Sequence, residues 1–508
     1  MNEPTHIIEK VFLEVNTSSQ KTAYFIKDNI RSFLESELLP RLEMILEKYD
    51  FKEPVIRLNE LNVDVHLPNW GDAAFLKTEI AGEFQRELQK NLQSGNSAQI
   101  AMGANTFHLQ DSTDVFFQKE KQTDAFSSLE NMQNIFLFFL ENGRLPWYGK
   151  EEHIREISKD IKWKESLNNN KFVEKLNNVL ESSELSIRRF VLQFPDEMYF
   201  SFLKTVDKNL NQVVVENFEK LVKEFFPVTR KLYHQWLFEL IVRKKELKKG
   251  IHLQKLRSLF SKEKIAPAER AEQFQTGVIS VLEKIHPNFF QKEDWNLFPE
   301  PDNEESFPEK TIPEKNTKKN DNPNDAEESF QLEKDEENIL VNDDALFVEN
   351  AGLILLHPFF KSFFNEFKFL DEAGQILHDK KELAMQSLHY LATGSEDFFE
   401  GNLLLEKFLC NVPQKWPVLR DSLLNEPIKT EAESLLEAAI KNWPALKNTS
   451  PNGLRKNFLQ RDGKLIQNER KHRLLVERKT QDILLERISW NISVVKLPWH
   501  EELLFVEW

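Results

Sequence analysis

Residues 347–360 read FVENAGLILLHPFF, and how that stretch is taken decides how the chain divides. It follows directly on 299–344, which holds five prolines, six aspartates, ten glutamates and five lysines, a net charge of −11. With so few large apolar side chains, that segment cannot bury enough surface to offset the entropy of ordering, so its composition predicts a disordered acidic linker. Fully extended at about 3.3 Å per residue, its 46 residues could reach roughly 150 Å. An apolar run straight after it therefore marks the start of a new folded body. Asn350 suits a helix cap, and Pro358 suits the first turn of the next helix, with Phe360, Phe363, Phe364 and Phe367 on its buried face.

Downstream, the spacing predicts helices over 380–392, 402–410, 430–441 and 451–460. Ser450 caps the last of these, Pro451 opens it, and Phe458 and Leu459 form its buried side. The text then changes to strand pattern in HRLLVER (472–478), SWNISVVKL (489–497) and LLFVEW (503–508). Upstream, IFLFFLENGRLPWYG, SELSIRRFVLQFP, NQVVVENFEKLVKEFFP and RKLYHQWLFELIVRKKELKKG each end at Gly or Pro, as short packed helices do. The first ninety residues read as strand (6–15), helix (18–50, divided at Pro40), strand (58–68, with Leu61, Val63, Val65 and Leu67 on one side) and helix (72–93). Residues 94–128 read as a loop or linker. The expected fold class is α+β and mainly helical: an N-terminal β-α-β-α domain over 1–95, a helical domain over 129–298, the linker 299–344, and a C-terminal α+β domain over 345–508.

Composition narrows the function. The formal net charge of −16 opposes general nucleic-acid binding, which rests on a surplus of Lys and Arg. Forty-one phenylalanines against six tyrosines place most rings in cores or interfaces. The single cysteine, Cys410, excludes an internal disulfide framework and reads as a buried, inert thiol in a reducing cytosol. The N-terminus, MNEPTHIIEK, lacks the basic and apolar regions of a secretory signal, and IFLFFL (135–140) is far short of a membrane span. The expectation is a cytoplasmic protein.

No Walker A loop, GxGxxG, GxSxG or HExxH occurs, and no histidine sits at metal-ligand spacing, so no catalytic residue, cofactor, metal or small-molecule substrate is expected. His357 and His389 read as structural histidines. Residues 230–264 hold eleven Lys/Arg against three Glu, either as solvated helix faces or as a face for an acidic partner. Near the C-terminus Lys447, Arg455, Lys456, Arg461 and Lys464 crowd one region, and Trp499 and Trp508 close the chain. These seven are the candidate partner-docking residues.

Together, FVENAGLILLHPFF, HYLATG, LLLEKFLCNVP, EAESLLEAAIKNWPALKNTSPNGLRKNFLQRDGKL, LLVERKTQDILLERISWNISVVKLPW and the closing FVEW resemble the tape measure protein family of contractile injection systems, the phage-tail-like needles of bacteria. The dense resemblance covers 346–508, with weaker passages at FLFFLENGRLPWYG and IRLNELNVDV and a departure at DVHLP (64–68). It implies a non-enzymatic assembly component that helps set tube and sheath length. The implied partners are inner tube, baseplate or spike proteins, and the chain would be made in the cytoplasm and packaged in the particle. A compact adaptor at the baseplate or tube start and a departing assembly chaperone remain as alternatives, as does a carboxylate-based cell-wall glycoside hydrolase.

Overall fold

The computed structural model describes residues 32–49, 55–58, 60–65, 73–94, 123–207, 212–225, 230–243, 345–468 and 471–508, with short runs and single positions elsewhere. Most of the expected strand over 6–15, the stretch 95–122, most of 244–298 and the acidic segment 299–344 lie outside the described residues. Two compact units result: Met1–Phe136 with Pro146–Ile157, and Leu137–Leu145 with Ser158–Trp508. The described protein is mainly helical, with small sheets.

In the first unit a π-helical turn, Leu34–Leu38, runs into α1 (Leu39–Leu46), with Pro40 in its first turn. Proline has no N–H to donate and crowds the preceding turn, and a widened turn accommodates both effects. Leu38, Leu42 and Ile45 recur at three and four and pack with Ala81, Phe84 and Leu88 of α2 (Ala73–Ser94). Strand β1 (Val55–Leu58) pairs antiparallel with β2 (Thr123–Phe126), Val55 opposite Phe126. The strand expected over 58–68 is thus displaced. Residues 60–65 form no ladder, yet Leu61 and Val63 pack on the core while Asn62 and Asp64 are exposed. Alternation there reports one-sided burial rather than hydrogen bonding. Helices α3 (Ser128–Asn142) and α4 (Glu151–Ile157) follow.

Besides Leu137–Leu145, which holds the end of α3, the second unit contains α5 (Asp160–Leu167), α6 (Asn170–Ser182), α7 (Glu184–Gln193), α8 (Asp196–Val206), α9 (Gln212–Phe225) and α10 (Arg230–Val242). Caps set the starts: the Asn169 side chain accepts from the Lys171 and Phe172 amides, and Ser183 accepts from the Ser186 amide. Phe190 sits edge-on to Trp163, Phe194, Tyr199 and Phe238, so the unusual phenylalanine content is spent on interlocking rings.

Strand β3 (Leu346–Val348) opens the C-terminal part of this unit and leads into a 3-10 helix, Ala351–Leu356. Leu353, Ile354, Leu355 and Leu356 are each at most 1% exposed, which explains the quoted stretch: a turn that is apolar all round is buried all round. Burying four such side chains contributes on the order of 6–12 kcal/mol before entropy. Asn350 precedes this turn but does not cap it. Its backbone is left-handed (φ 56°), and its side-chain amide donates to Glu406 instead. Gly352 lies so close to the Phe458 carbonyl that no side chain fits. Pro358 opens α11 (His357–Glu366), with Phe360, Phe363 and Phe364 buried and Phe367 half-buried.

Next come α12 (Lys381–Thr393), α13 (Leu404–Leu409), α14 (Glu426–Asn442) and α15 (Pro451–Leu454), the last continuing as a π-helical turn, Arg455–Leu459. Ser450 caps α15 by accepting from the Gly453 amide at 3.1 Å. Strands β4 (Gly463–Asn468), β5 (Lys471–Val476), β6 (Val494–Val495) and β7 (Leu504–Glu507) complete a sheet of order β3-β4-β5-β7-β6. All its pairings are antiparallel except β5 with β7, which is bridged by a crossover containing a 3-10 helix, Thr480–Arg487. One face of the sheet is closed: Leu346, Leu465, Leu474, Val476, Val495 and Val506 are buried in the core.

Candidate functional site

Charged side chains that normally face water meet inside the second unit. Arg189 of α7, Glu400 of the 3-10 turn Glu400–Asn402 and Lys407 of α13 are all 0% exposed. The Arg189 Nε donates to both Glu400 carboxylate oxygens at 3.1 and 3.2 Å. Its two terminal nitrogens donate to the carbonyls of Leu140 and Lys415. Lys407 Nζ reaches Glu400 at 2.8 Å and the Gln414 carbonyl at 3.0 Å. Burial pulls the Lys407 ammonium below its ordinary value, against the attraction of Glu400. Gly143 (φ 68°) stands over the pair, and a Cβ there would come within 2.7 Å of both Arg189 and Glu400. Alongside, Glu406 takes the Asn350 amide and faces His389 Nδ1 at 3.5 Å. Pairs this dry are retained only where nearly every donor and acceptor is met, and they tie helices of 158–206 to the C-terminal segment.

A second cluster lies on α8, α9 and α10. Asp196, Glu219 and His234 bring their ligand-type atoms within 4.8 Å of one another. The sides of the carboxylates that a metal would use are occupied by protein cations: Lys231 and Arg230 each approach Asp196 at 2.8 Å, and Arg230 approaches Glu219 at 3.6 Å. His234 is held between Glu219 and the Tyr199 hydroxyl, which also donates to Asp196 at 2.7 Å. Burial would raise the Asp196 pKa, but the Lys231 and Tyr199 hydrogen bonds outweigh it and hold it low. The same balance, with His234 as the donor, lowers Glu219. The arrangement is an internal ion network. Sequence spacing could not reveal it, because its members come from three helices.

The described cations of 230–264 are likewise turned to the protein's own acids. Besides Arg230 and Lys231, Lys255 sits 3.0 Å from both Glu184 and Glu239, and Arg243 lies 3.8 Å from Glu184. His357 donates its Nε2–H to the Asn491 carbonyl oxygen at 2.9 Å, and burial lowers its pKa. Cys410 is fully buried, and burial raises its thiol well above the ordinary value.

The seven candidate docking residues separate. Arg455 is buried, donating to the Leu391 carbonyl at the end of α12 and to Glu433 at 2.5 Å, so it satisfies a helix terminus. Arg461 is buried too, bonded to the Asn457 and Glu477 carbonyls and to Asp482. Trp499 is buried against Phe364, with its indole N–H on the Leu409 carbonyl at 2.7 Å. These three act inside the fold, because multidentate partners offset the cost of burying their polar groups. Trp508 is half-buried against the same core. Lys447 and Lys456 are exposed, and Lys464 is half-buried, its ammonium 5.7 Å from the exposed Phe347 ring.

The interior charges thus pair with one another, while Lys447 and Lys456 remain on the surface. The family model described as contractile injection system tape measure protein matches residues 5–508. The chain belongs to that family, and its role is structural, in the assembly of a contractile injection system. No curated protein and no solved structure matches it. Among the described residues no helix is long and apolar enough to cross a membrane.

Proposed function

We propose that the chain serves length control as a folded adaptor, holding inner tube, baseplate or spike proteins together while the tube and sheath grow, and not as a fully extended ruler. A ruler needs a segment whose span scales with its residue number. The longest described helix, Ala73–Ser94, has 22 residues, about 33 Å at 1.5 Å per residue, and the described helices of the second unit are shorter and packed on one another. That shortness is the observation carrying the reading. Lys447, Lys456, Lys464 and Trp508 are the surface or half-buried positions offered to partners. The role is non-enzymatic: Glu400, fully buried like Glu406, is held by Arg189 and Lys407 rather than facing a second acid across a cleft. Synthesis in the cytoplasm and packaging into the particle complete the proposal.

Deleting half of 299–344, or duplicating it, and measuring particle length by electron microscopy tests the reading. Unchanged length with normal assembly is expected. Length that changes in proportion to the residues removed or added would refute the adaptor and restore the ruler.

A further inference from the structure

The sheet has a second face, and the described apolar residues on it do not pack on the core. The register places Phe347, Ile466, Leu475, Phe505 and Val494 on the side opposite the buried leucines and valines. Phe347 is 60% exposed and Val494 38%, while the other three are half-buried. Around them lie Lys464, Lys471, Arg473 and Glu507. Arg473 is matched by Glu507 at 2.5 Å. Lys464 and Lys471 are within 5.7 and 5.9 Å of the Phe347 and Phe505 rings, and among the described residues neither has a carboxylate partner. The face is therefore apolar in the middle and positive at two places.

The edges of the sheet offer little to an added strand, since β3 has three residues and β6 two. The face itself is better proportioned. Five strands at about 4.8 Å spacing give roughly 19 Å between the outermost, room for one helix about 10 Å across. We propose that the outer face of β3–β7 docks an acidic amphipathic helix of a partner protein in the injection particle. Its apolar stripe lies over Phe347, Leu475 and Phe505, and its carboxylates meet Lys464 and Lys471. The particle as the source of that partner rests on the adaptor reading above; the chemistry of the occupant rests on the face alone.

The test uses the full chain and two double variants, Phe347→Ser with Leu475→Ser and Lys464→Glu with Lys471→Glu. The probes are the purified inner-tube, sheath and baseplate proteins of the same particle and synthetic peptides of their acidic helices, measured by calorimetry at low and high salt. At least one probe should bind the native chain and lose tenfold or more in affinity to each double variant. The charge-reversed variant should also lose the salt dependence. Unchanged thermal melting shows that solvent-facing substitutions leave the fold intact. Absence of binding by every probe, or binding indifferent to both variants, overturns the proposal. Binding that appears only after 299–344 is removed also overturns it, by assigning the face to the chain's own acidic segment. Particle length is read in a separate assay, so failure here leaves the adaptor reading standing.

Discussion

Replacing Arg189 by methionine should cost the second unit about 3–5 kcal/mol, the range for breaking a buried ion pair from one side. The structure shows where the loss arises. Glu400 loses two hydrogen bonds, at 3.1 and 3.2 Å, and the Leu140 and Lys415 carbonyls lose theirs. Each carbonyl left dry accounts for about 1–3 kcal/mol, partly recovered by relaxation and by the methionine's own burial. Lys407 remains on Glu400 at 2.8 Å, so the carboxylate keeps a counter-charge and the loss should fall toward the lower end. Glu400→Gln leaves two cations facing each other without an anion. Arginine cannot shed its proton, whereas Lys407, already pulled down by burial, can. Glu400→Gln should therefore cost at least as much as Arg189→Met, and the double variant less than the sum by 1 kcal/mol or more. Hydrogen exchange of amides in α7 and α13, alongside urea unfolding followed by tryptophan fluorescence, measures all three. Single losses under 1 kcal/mol, or strictly additive ones, would refute the reasoning.

Three further outcomes follow from the geometry. A protease site placed in 299–344 and cut should leave the two pieces co-eluting, since Arg189 and Gln193 bond across to Glu400 and Val418, and Arg189→Met should make them separable in mild urea. Gly143→Ala should lower stability by roughly 1–3 kcal/mol, combining a left-handed backbone with a Cβ pressed on Arg189 and Glu400, read as a drop in melting temperature. His500 donates to the Phe408 carbonyl, and its pKa is pushed down to about 4, chiefly by burial. The unfolded chain, with histidine near 6.5, then binds more protons between those values, so stability should fall as pH drops from about 6.5 to 4, by up to ~3 kcal/mol. Urea midpoints measured across that window check the slope, and His500→Asn should flatten it.

Local signals carried much of the fold. Pro358 and Ser450 open their helices where spacing and capping chemistry place them, and β5 and β7 lie within the stretches that alternate. Strand β4 has no clear signal in the sequence because KLIQN continues a turn and is too short to alternate convincingly; its identity depends on β3 and β5 on either side. The interior charges were the least legible. A lone Arg or Lys reads as exposed by default, so the sequence groups Arg455 and Arg461 with Lys447 and Lys456 as one basic surface. Arg189, Glu400 and Lys407 gave no signal at all. Their burial depends on groups distant in sequence that happen to supply each hydrogen bond.

The parallel pairing of β5 with β7 also orders events during synthesis. Leu346 leaves the ribosome more than a hundred residues ahead of its partner Leu465, and β6 pairs with β7 at Leu504 and Phe505. A chain interrupted before residue 504 would thus present an open row of backbone groups along β5. Such an edge is a template to which another chain adds a strand, and the pairing of β7 with β5 removes it.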